Sequence, residues 1–461
     1  GLGDVYKRQI SERTELSFVF YLYKKEKEKC VMGNVQILLR QHVGAPCAPC
    51  VEVGADVKKG TLIATPTGLG ANIFSSVYGK VAEITEDRII IEPADEQPDE
   101  FVPIDVPEDA SKLDMVKAAG IVGMGGAGFP TGIKLGIDLS ATEMGEMDAE
   151  INPELPADFK IEHGYILINA AECEPFLTCD YRLMMEQSFA VINGVRVLLE
   201  ASGADKAYIC MEDNKPEAAK LLQKILEEGK QQIKGENPVE LKILPTQYPQ
   251  GGERQLIQAV LNREVPMGGL PADVGVIVSN VGTAKAAADM TFAGIPLTRR
   301  IVTVTGSVKN PGNYLVPVGT SAKELLNLAG GVTVEKNRII AGGPMTGPCV
   351  ASDWNGKEEL FYVTKNTSGI LVLPDNEYEE CPCIRCAGCE SVCPAGLVPY
   401  QIEFAYLEED YDLCEELYAS ECIACGCCSY ICPAKRELSV RTRMARDIVK
   451  QRMRERAVKK S

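Results

Sequence analysis

Cys383-Ile-Arg-Cys-Ala-Gly-Cys-Glu-Ser-Val-Cys-Pro394 and Cys422-Ile-Ala-Cys-Gly-Cys-Cys-Ser-Tyr-Ile-Cys-Pro433 are two copies of one pattern, C-x2-C-x2-C-x3-C-P. Three cysteines two residues apart put three thiols on one tight loop, and a fourth follows beyond a turn marked by proline. Structural zinc sites use paired C-x2-C knuckles rather than a triplet with a proline-tagged fourth. Disulfide frameworks belong to short secreted chains.

Runs of this spacing ligate [4Fe–4S] clusters in two-cluster ferredoxins, where the fourth cysteine serves the other cluster. The expected ligand sets are therefore Cys383, Cys386, Cys389 and Cys432 for one cluster, and Cys422, Cys425, Cys428 and Cys393 for the other. One-electron transfer is the implied chemistry. The 18 cysteines of the chain then point to a reducing, anaerobic cytoplasm.

Bulk composition sets the outer limits. A chain of 461 residues, 45% hydrophobic and 25% charged, is an ordinary multidomain globular protein. A net charge of −17 argues against nucleic acid as partner, since phosphates would be repelled. No apolar run is long enough to span a membrane. The chain opens on Gly1, and Met32 precedes a strand pattern at Val35–Arg40. Residues 1–32 are expected to be a non-native or disordered leader.

Working outward, residues 33–108 hold short β runs such as VEVGADVKKGTLIATP (51–66), expected to form a barrel-sandwich of the lipoyl type. No lysine stands at a hairpin tip between Lys59 and Lys80, so the domain should not be lipoylated. Residues 109–298 alternate strand and helix patterns: strands at Tyr165–Asn169, Lys206–Met211 and Val274–Ser279, helices near 182–202, 216–228 and 252–261. That order predicts a parallel sheet. An acidic stretch, Gly136–Gly164, reads as a surface loop. Residues 299–378 predict a small β-grasp module and a connector, 379–440 the cysteine domain, and 441–461 a basic helical tail. After Pro433 there are eleven Lys or Arg against three Asp or Glu, suited to an acidic partner, a membrane surface or the chain's own acidic face. The fold class is α/β multidomain.

The second informative stretch is Ile121–Leu135, IVGMGGAGFPTGIKL. Its glycines let backbone N–H groups approach a phosphate, with Lys134 adding charge. The string closely resembles the flavin loop of the NADH-binding subunit of respiratory complex I. Asn169-Ala-Ala-Glu-Cys-Glu-Pro175, Tyr248–Gln255 (YPQGGERQ) and Asn280-Val-Gly-Thr283 resemble three further elements of that subunit, in order. Together with the flanking units, the chain resembles the RnfC family, the NADH-oxidising iron–sulfur subunit of the Rnf electron transport complex.

The resemblance implies FMN and two [4Fe–4S] clusters as cofactors and NADH as substrate. It implies FMN phosphate contacts by Gly123, Gly125, Gly126, Gly128 and Lys134. Asn169, Glu172, Glu174, Glu253, Asn280 and Thr283 would line the flavin and nicotinamide site, and Phe129 would stack on NADH. Ala171 and Gly252 depart from the complex I pattern, where Asp and Glu stand. No catalytic acid or base is expected. With two histidines, His42 and His163, histidine chemistry is poorly supplied.

Three readings stay open. The first is an RnfC-type NADH-dependent oxidoreductase, cytoplasmic and peripheral on the inner face of the membrane through embedded Rnf subunits. The second is a soluble branch of the family, similar to the protein PrdC that feeds D-proline reductase. The glycine-histidine-proline element expected before the barrel domain is missing, and Cys47, Cys50 and Cys349 are candidate redox thiols. The third is a non-enzymatic ferredoxin-like carrier.

Overall fold

The computed structural model describes residues 33–137, 139, 164–232, 238–376 and 378–459. The expected leader, most of the acidic loop and His163 lie outside the described residues. Among those described, the strands form four sheets.

Two sheets make the N-terminal sandwich. One has the order Val35–Leu38, Arg88–Pro93, Gly79–Ile84, Asp56–Val57; the other Cys47–Pro49, Leu62–Pro66, Ile73–Phe74. Alternation along Val35–Leu38 puts Val35 and Ile37 inside, where they meet Ile63, Val81, Ile89 and Ile91. Lys59 is buried and donates to the Pro98 carbonyl at 2.7 Å, so it is no swinging arm.

The second unit is a parallel sheet of order Val239–Leu244, Lys206–Glu212, Tyr165–Asn169, Val276–Asn280. Its inner strands Lys206–Glu212 and Tyr165–Asn169, and Val276–Asn280, are largely buried apolar runs because helices shield them. Asn280 is the register partner of Asn169, so both end at the carboxyl edge of neighbouring strands. That edge is where open α/β sheets place ligands. Helices Ser188–Ser202 and Val281–Ala293 cross so closely that a Cβ at Gly194 would collide with the Ala284 carbonyl. This crossing seats the start of Val281–Ala293, and with it Asn280 and Thr283. The expected helix 182–202 is two helices, Cys179–Glu186 and Ser188–Ser202, broken at Gln187. The strand Val239–Leu244 and the helix Val281–Ala293 were not expected from the sequence.

The third unit is a five-stranded sheet of order Gly312–Pro317, Arg299–Gly306, Gly369–Pro374, Asn337–Ala341, Cys349–Ser352, backed by helix Ala322–Leu328. The segment expected to be a connector supplies its middle strand, Gly369–Pro374, which pairs parallel with Thr303–Gly306.

The cysteine unit shows its internal repeat in three dimensions. Helix Gly388–Ser391 corresponds to Cys427–Ile431, and Pro399–Leu407 to the start of Leu438–Val458, each 39 residues on. Helix Leu438–Val458 is continuous, so a division at 440/441 has no counterpart in the structure. Among its basic side chains, Arg452 pairs with Asp412 at 2.7 Å, Arg456 with Glu415 at 2.5 Å, and Arg441 with Glu380 at 2.5 Å. Of the tail's possible roles, packing on its own acidic surface is the one seen.

Candidate functional site

The two cysteine runs wrap two cavities. One is lined by Cys383, Cys386, Cys389 and Cys432, the other by Cys422, Cys425, Cys428 and Cys393. Each cavity thus takes its fourth cysteine from the other repeat, as the spacing suggests. The loops turn alike. Arg385 and Ala387 have left-handed backbones, and so do Ala424 and Gly426, their equivalents. That conformation points amides inward: Arg385 N–H reaches Cys383 Sγ at 3.4 Å, and Ala424 N–H reaches Cys422 Sγ at 3.4 Å. Burial pushes Cys425 and Cys428 up to about 12. A metal that takes the place of their protons would offset that cost. Four converging thiols with amide donors fit a [4Fe–4S] cluster in each cavity.

The glycine loop is held from three sides. Gly123 N–H donates to the Phe129 carbonyl at 2.8 Å, closing the loop on itself. Thr283 Oγ1 accepts from Met124 N–H at 3.0 Å. From the sandwich, Val43 N–H donates to the Gly128 carbonyl at 3.3 Å. Gly125 and Gly128 have φ of 78° and 73°, and a Cβ on them would crowd Asn280 and Asn366 at 3.2 Å. Gly126 faces open space. Lys134, on the short helix after the loop, pairs with Glu253 at 2.6 Å. A glycine cradle with open space above it and a lysine at its end fits the phosphate of FMN.

Asn169 is spent on the scaffold. Its amide donates to the Gly251 carbonyl at 2.9 Å, and its oxygen accepts from Ala171 N–H at 3.1 Å. Glu172, at a left-handed φ of 46°, accepts from Asp180 N–H at 2.7 Å and Tyr181 N–H at 3.0 Å, capping helix Cys179–Glu186. Its carboxyl, that of Asp180 and the Cys179 thiol offer atoms within 4.8 Å of one another. Burial, then the Asp180 charge, pushes Glu172 up to about 8. Burial also raises Asp180, whose carboxylate accepts from Asn280 Nδ2 at 2.7 Å. Glu174 points away from this group. It accepts from Thr346 N–H at 2.9 Å and Met345 N–H at 3.2 Å, tying the parallel-sheet unit to the third unit.

The segment Tyr248–Gln255 joins the two halves of the site. Gly251 packs on Asn169 and Cys173, and Glu253 meets Lys134. On its other side the Tyr248 hydroxyl donates to the Cys425 carbonyl at 2.7 Å. Arg254 pairs with Glu421 at 2.7 Å, and Gln255 donates to the Pro394 carbonyl at 3.4 Å. The Met345 carbonyl closes over Gly426, where a Cβ would stand 2.5 Å away. The Cys422 loop therefore packs against the segment that meets Lys134 and Asn169. In the other loop, Cys386 is exposed.

The structure thus brings Gly123–Gly128, Lys134, Asn169, Glu172, Glu253, Asn280 and Thr283 into one region and directs Glu174 elsewhere. Phe129 is half-buried. Sequence reasoning missed Tyr248, Asp180 and Arg300, the last donating to the Thr367 carbonyl at 3.2 Å behind the glycine loop. Tyr248 stood inside a quoted motif; nothing in the sequence singled out the other two. Of the candidate redox thiols, Cys47 is 4% exposed, 3.4 Å from His42 Nε2, and too buried for exchange. Cys50 and Cys349 are exposed.

Residues 116–289 match the Nuo51 FMN-binding domain, 301–348 the SLBB domain, and 26–98 the RnfC barrel sandwich hybrid domain. The C subunit of the proton-translocating ferredoxin:NAD(+) oxidoreductase complex of Clostridium ljungdahlii is 39% identical, over 84% of this chain and 82% of that protein. Its counterpart in the Na(+)-translocating ferredoxin:NAD(+) oxidoreductase complex of Acetobacterium woodii is 37% identical, over 98% of this chain and 97% of that one. The corresponding protein of the ion-translocating oxidoreductase complex of Vibrio cholerae is 34% identical over 84% of this chain, which spans about half of that relative, 48% of its length.

Proposed function

This chain belongs to the RnfC family, and on that footing we propose that it oxidises NADH with FMN and passes electrons through two [4Fe–4S] clusters to an Rnf-type membrane complex. The Gly123–Gly128 loop and Lys134 hold the FMN phosphate. Phe129, Asn169, Glu172, Asn280 and Thr283 shape the flavin and nicotinamide side. The eight cysteines hold the clusters, four to each cavity. FMN held there would supply the conversion between the two-electron chemistry of NADH and one-electron clusters.

The observation that carries this reading is the Tyr248–Gln255 segment. One stretch of chain meets Lys134 and Asn169 on one side and, on the other, Cys425 and Pro394 of the Cys422 cavity wall and Glu421 just before it in sequence. Cys393, Cys422, Cys425 and Cys428 would hold the cluster nearer the glycine loop, and Cys383, Cys386, Cys389 and Cys432 would hold the one open to a partner protein, since Cys386 is exposed. Among the described residues no helix is long and apolar enough to cross a membrane. The units that do this work are taken as 33–108, 109–298, 299–378 and the cysteine unit from 379 onward.

Anaerobically purified protein should contain about eight iron and eight sulfide per chain with one FMN. NADH should bleach flavin and cluster absorbance together. Zinc, or close to four iron, would sink the two-cluster reading. The soluble-branch alternative leans on the exposed thiols Cys50 and Cys349. Replacing both by Ala should leave transfer to the natural acceptor unchanged; a loss would favour a thiol-dependent acceptor.

A further inference from the structure

The two cysteine cavities are related by the 39-residue repeat, yet they are not lined alike. Tyr400 of one corresponds to Ser439 of the other, and Arg436 to Leu397. The largest chemical difference is at Thr442. Its repeat equivalent is Glu403, a buried carboxylate held by Arg436 at 2.6 Å and by Arg441. Glu403 is committed to those guanidinium groups and is not among the residues lining the Cys383 cavity.

Thr442 lines the cavity of Cys393, Cys422, Cys425 and Cys428. It is 1% exposed, and its hydroxyl has no hydrogen-bond partner among the described residues. A buried hydroxyl without a partner is costly, so a partner is expected within the cavity. The same helix face supplies two more contacts to this cavity. Ser439, three residues before, has its hydroxyl bonded to Ser429 at 2.9 Å. Arg446, four residues after, donates to the Cys422 carbonyl at 3.1 Å. Spacings of three and four put all three on one face. Of the two hydroxyls at this cavity, Ser439 is satisfied within the protein and Thr442 is not.

We propose that Thr442 donates its hydroxyl hydrogen to a sulfur of the cluster held by Cys393, Cys422, Cys425 and Cys428, and that this bond raises the potential of that cluster. A donor to sulfur favours the reduced, more negative form. The position is a tuning site present at one cluster and absent from its twin. It rests on the cluster reading above.

The test is a redox titration of anaerobic holoprotein followed by EPR, comparing wild type, Thr442→Val and Thr442→Ser. The expected result for Thr442→Val is full iron content and a lower midpoint for one of the two signals. The change should be about tenfold in the reduction equilibrium, about 59 mV for one electron. Thr442→Ser should keep the wild-type midpoint, and the second signal should not move in either variant. Unchanged midpoints in Thr442→Val with iron intact would overturn the proposal, leaving the hydroxyl bonded to its own helix. If Thr442→Val loses iron, Thr442→Ala against Thr442→Ser decides: a fall in Ala alone supports the bond, and equal midpoints refute it. Absence of iron from the wild type would instead refute the cluster reading, so the two failures are distinguishable.

Discussion

The hydroxyl of Tyr248 donates to the backbone carbonyl of Cys425 at 2.7 Å, across 177 residues of sequence. Tyr248 sits on the segment that meets Lys134, and Cys425 sits on the cysteine loop, so this bond ties the glycine-loop region to the Cys422 cavity. Burial raises the Tyr248 phenol above its ordinary value, so it stays a proton donor. Tyr248→Phe removes that donor and leaves the carbonyl of a cluster loop unpaired. A net loss of about 0.5–1.5 kcal/mol corresponds to roughly twofold to tenfold. Stopped-flow spectroscopy should show NADH-driven cluster bleaching slowed by that order while flavin bleaching keeps its rate.

Crossed ligation makes a prediction that uncrossed ligation does not. Cys422→Ala and Cys393→Ala should each lower iron to about four per chain and erase the same EPR signal, with flavin retained. Cys432→Ala should erase the other signal. If Cys393→Ala and Cys383→Ala proved to share a phenotype, each run would bind its own cluster.

Lys134 and Glu253 pair at 2.6 Å at the end of the glycine loop. Lys134→Ala removes the charge expected to meet the FMN phosphate. A charge-assisted bond of about 1.5–3 kcal/mol translates into FMN affinity weaker by roughly tenfold to a hundredfold. Isothermal titration of deflavinated protein would measure it, with iron content as the control. Unchanged affinity would remove Lys134 from the phosphate site.

Glu172 supplies a pH signature. Its carboxyl is raised from 4.5 to about 8 by burial and then by Asp180. Between those values the folded chain keeps a proton that the unfolded chain has released. Stability from this group is therefore fully present below the unfolded value and lost as pH rises through the folded one. Denaturant unfolding from about pH 5 to about pH 8 should show wild type losing stability relative to Glu172→Gln. A difference that stays flat across the window would mean the carboxyl is already ionised.

Much of this was legible in the sequence because it is local. Thiol spacing decides which cysteines share a loop, and glycines with positive φ are demanded by the turn itself, as at Gly125 and Gly128. What was not legible depends on distant partners. Val281–Ala293 is buried almost all round, so it lacks the apolar stripe that marks a surface helix. Val239–Leu244 carries Lys242 in mid-strand, its ammonium 4.7 Å from the Tyr208 ring, and that contact cannot be read from spacing. Glu174 lies in a quoted motif, yet the loop at Met345 and Thr346 claims its carboxylate. The acid pair Glu172 and Asp180 is legible only once the left-handed turn at Glu172 folds one back on the other.

In the proposed function, electrons pass from NADH at the glycine loop to the Cys422 cavity, and from there to the Cys383 cavity. The direct measurement is EPR of anaerobic Cys422→Ala holoprotein, poised with NADH and separately with dithionite. Dithionite should reduce the remaining Cys383 cluster, while NADH should reduce it at least about tenfold more slowly than in wild type, because its intermediate carrier is gone. Reduction by NADH at the wild-type rate would contradict the order and place the Cys383 cluster next to the flavin.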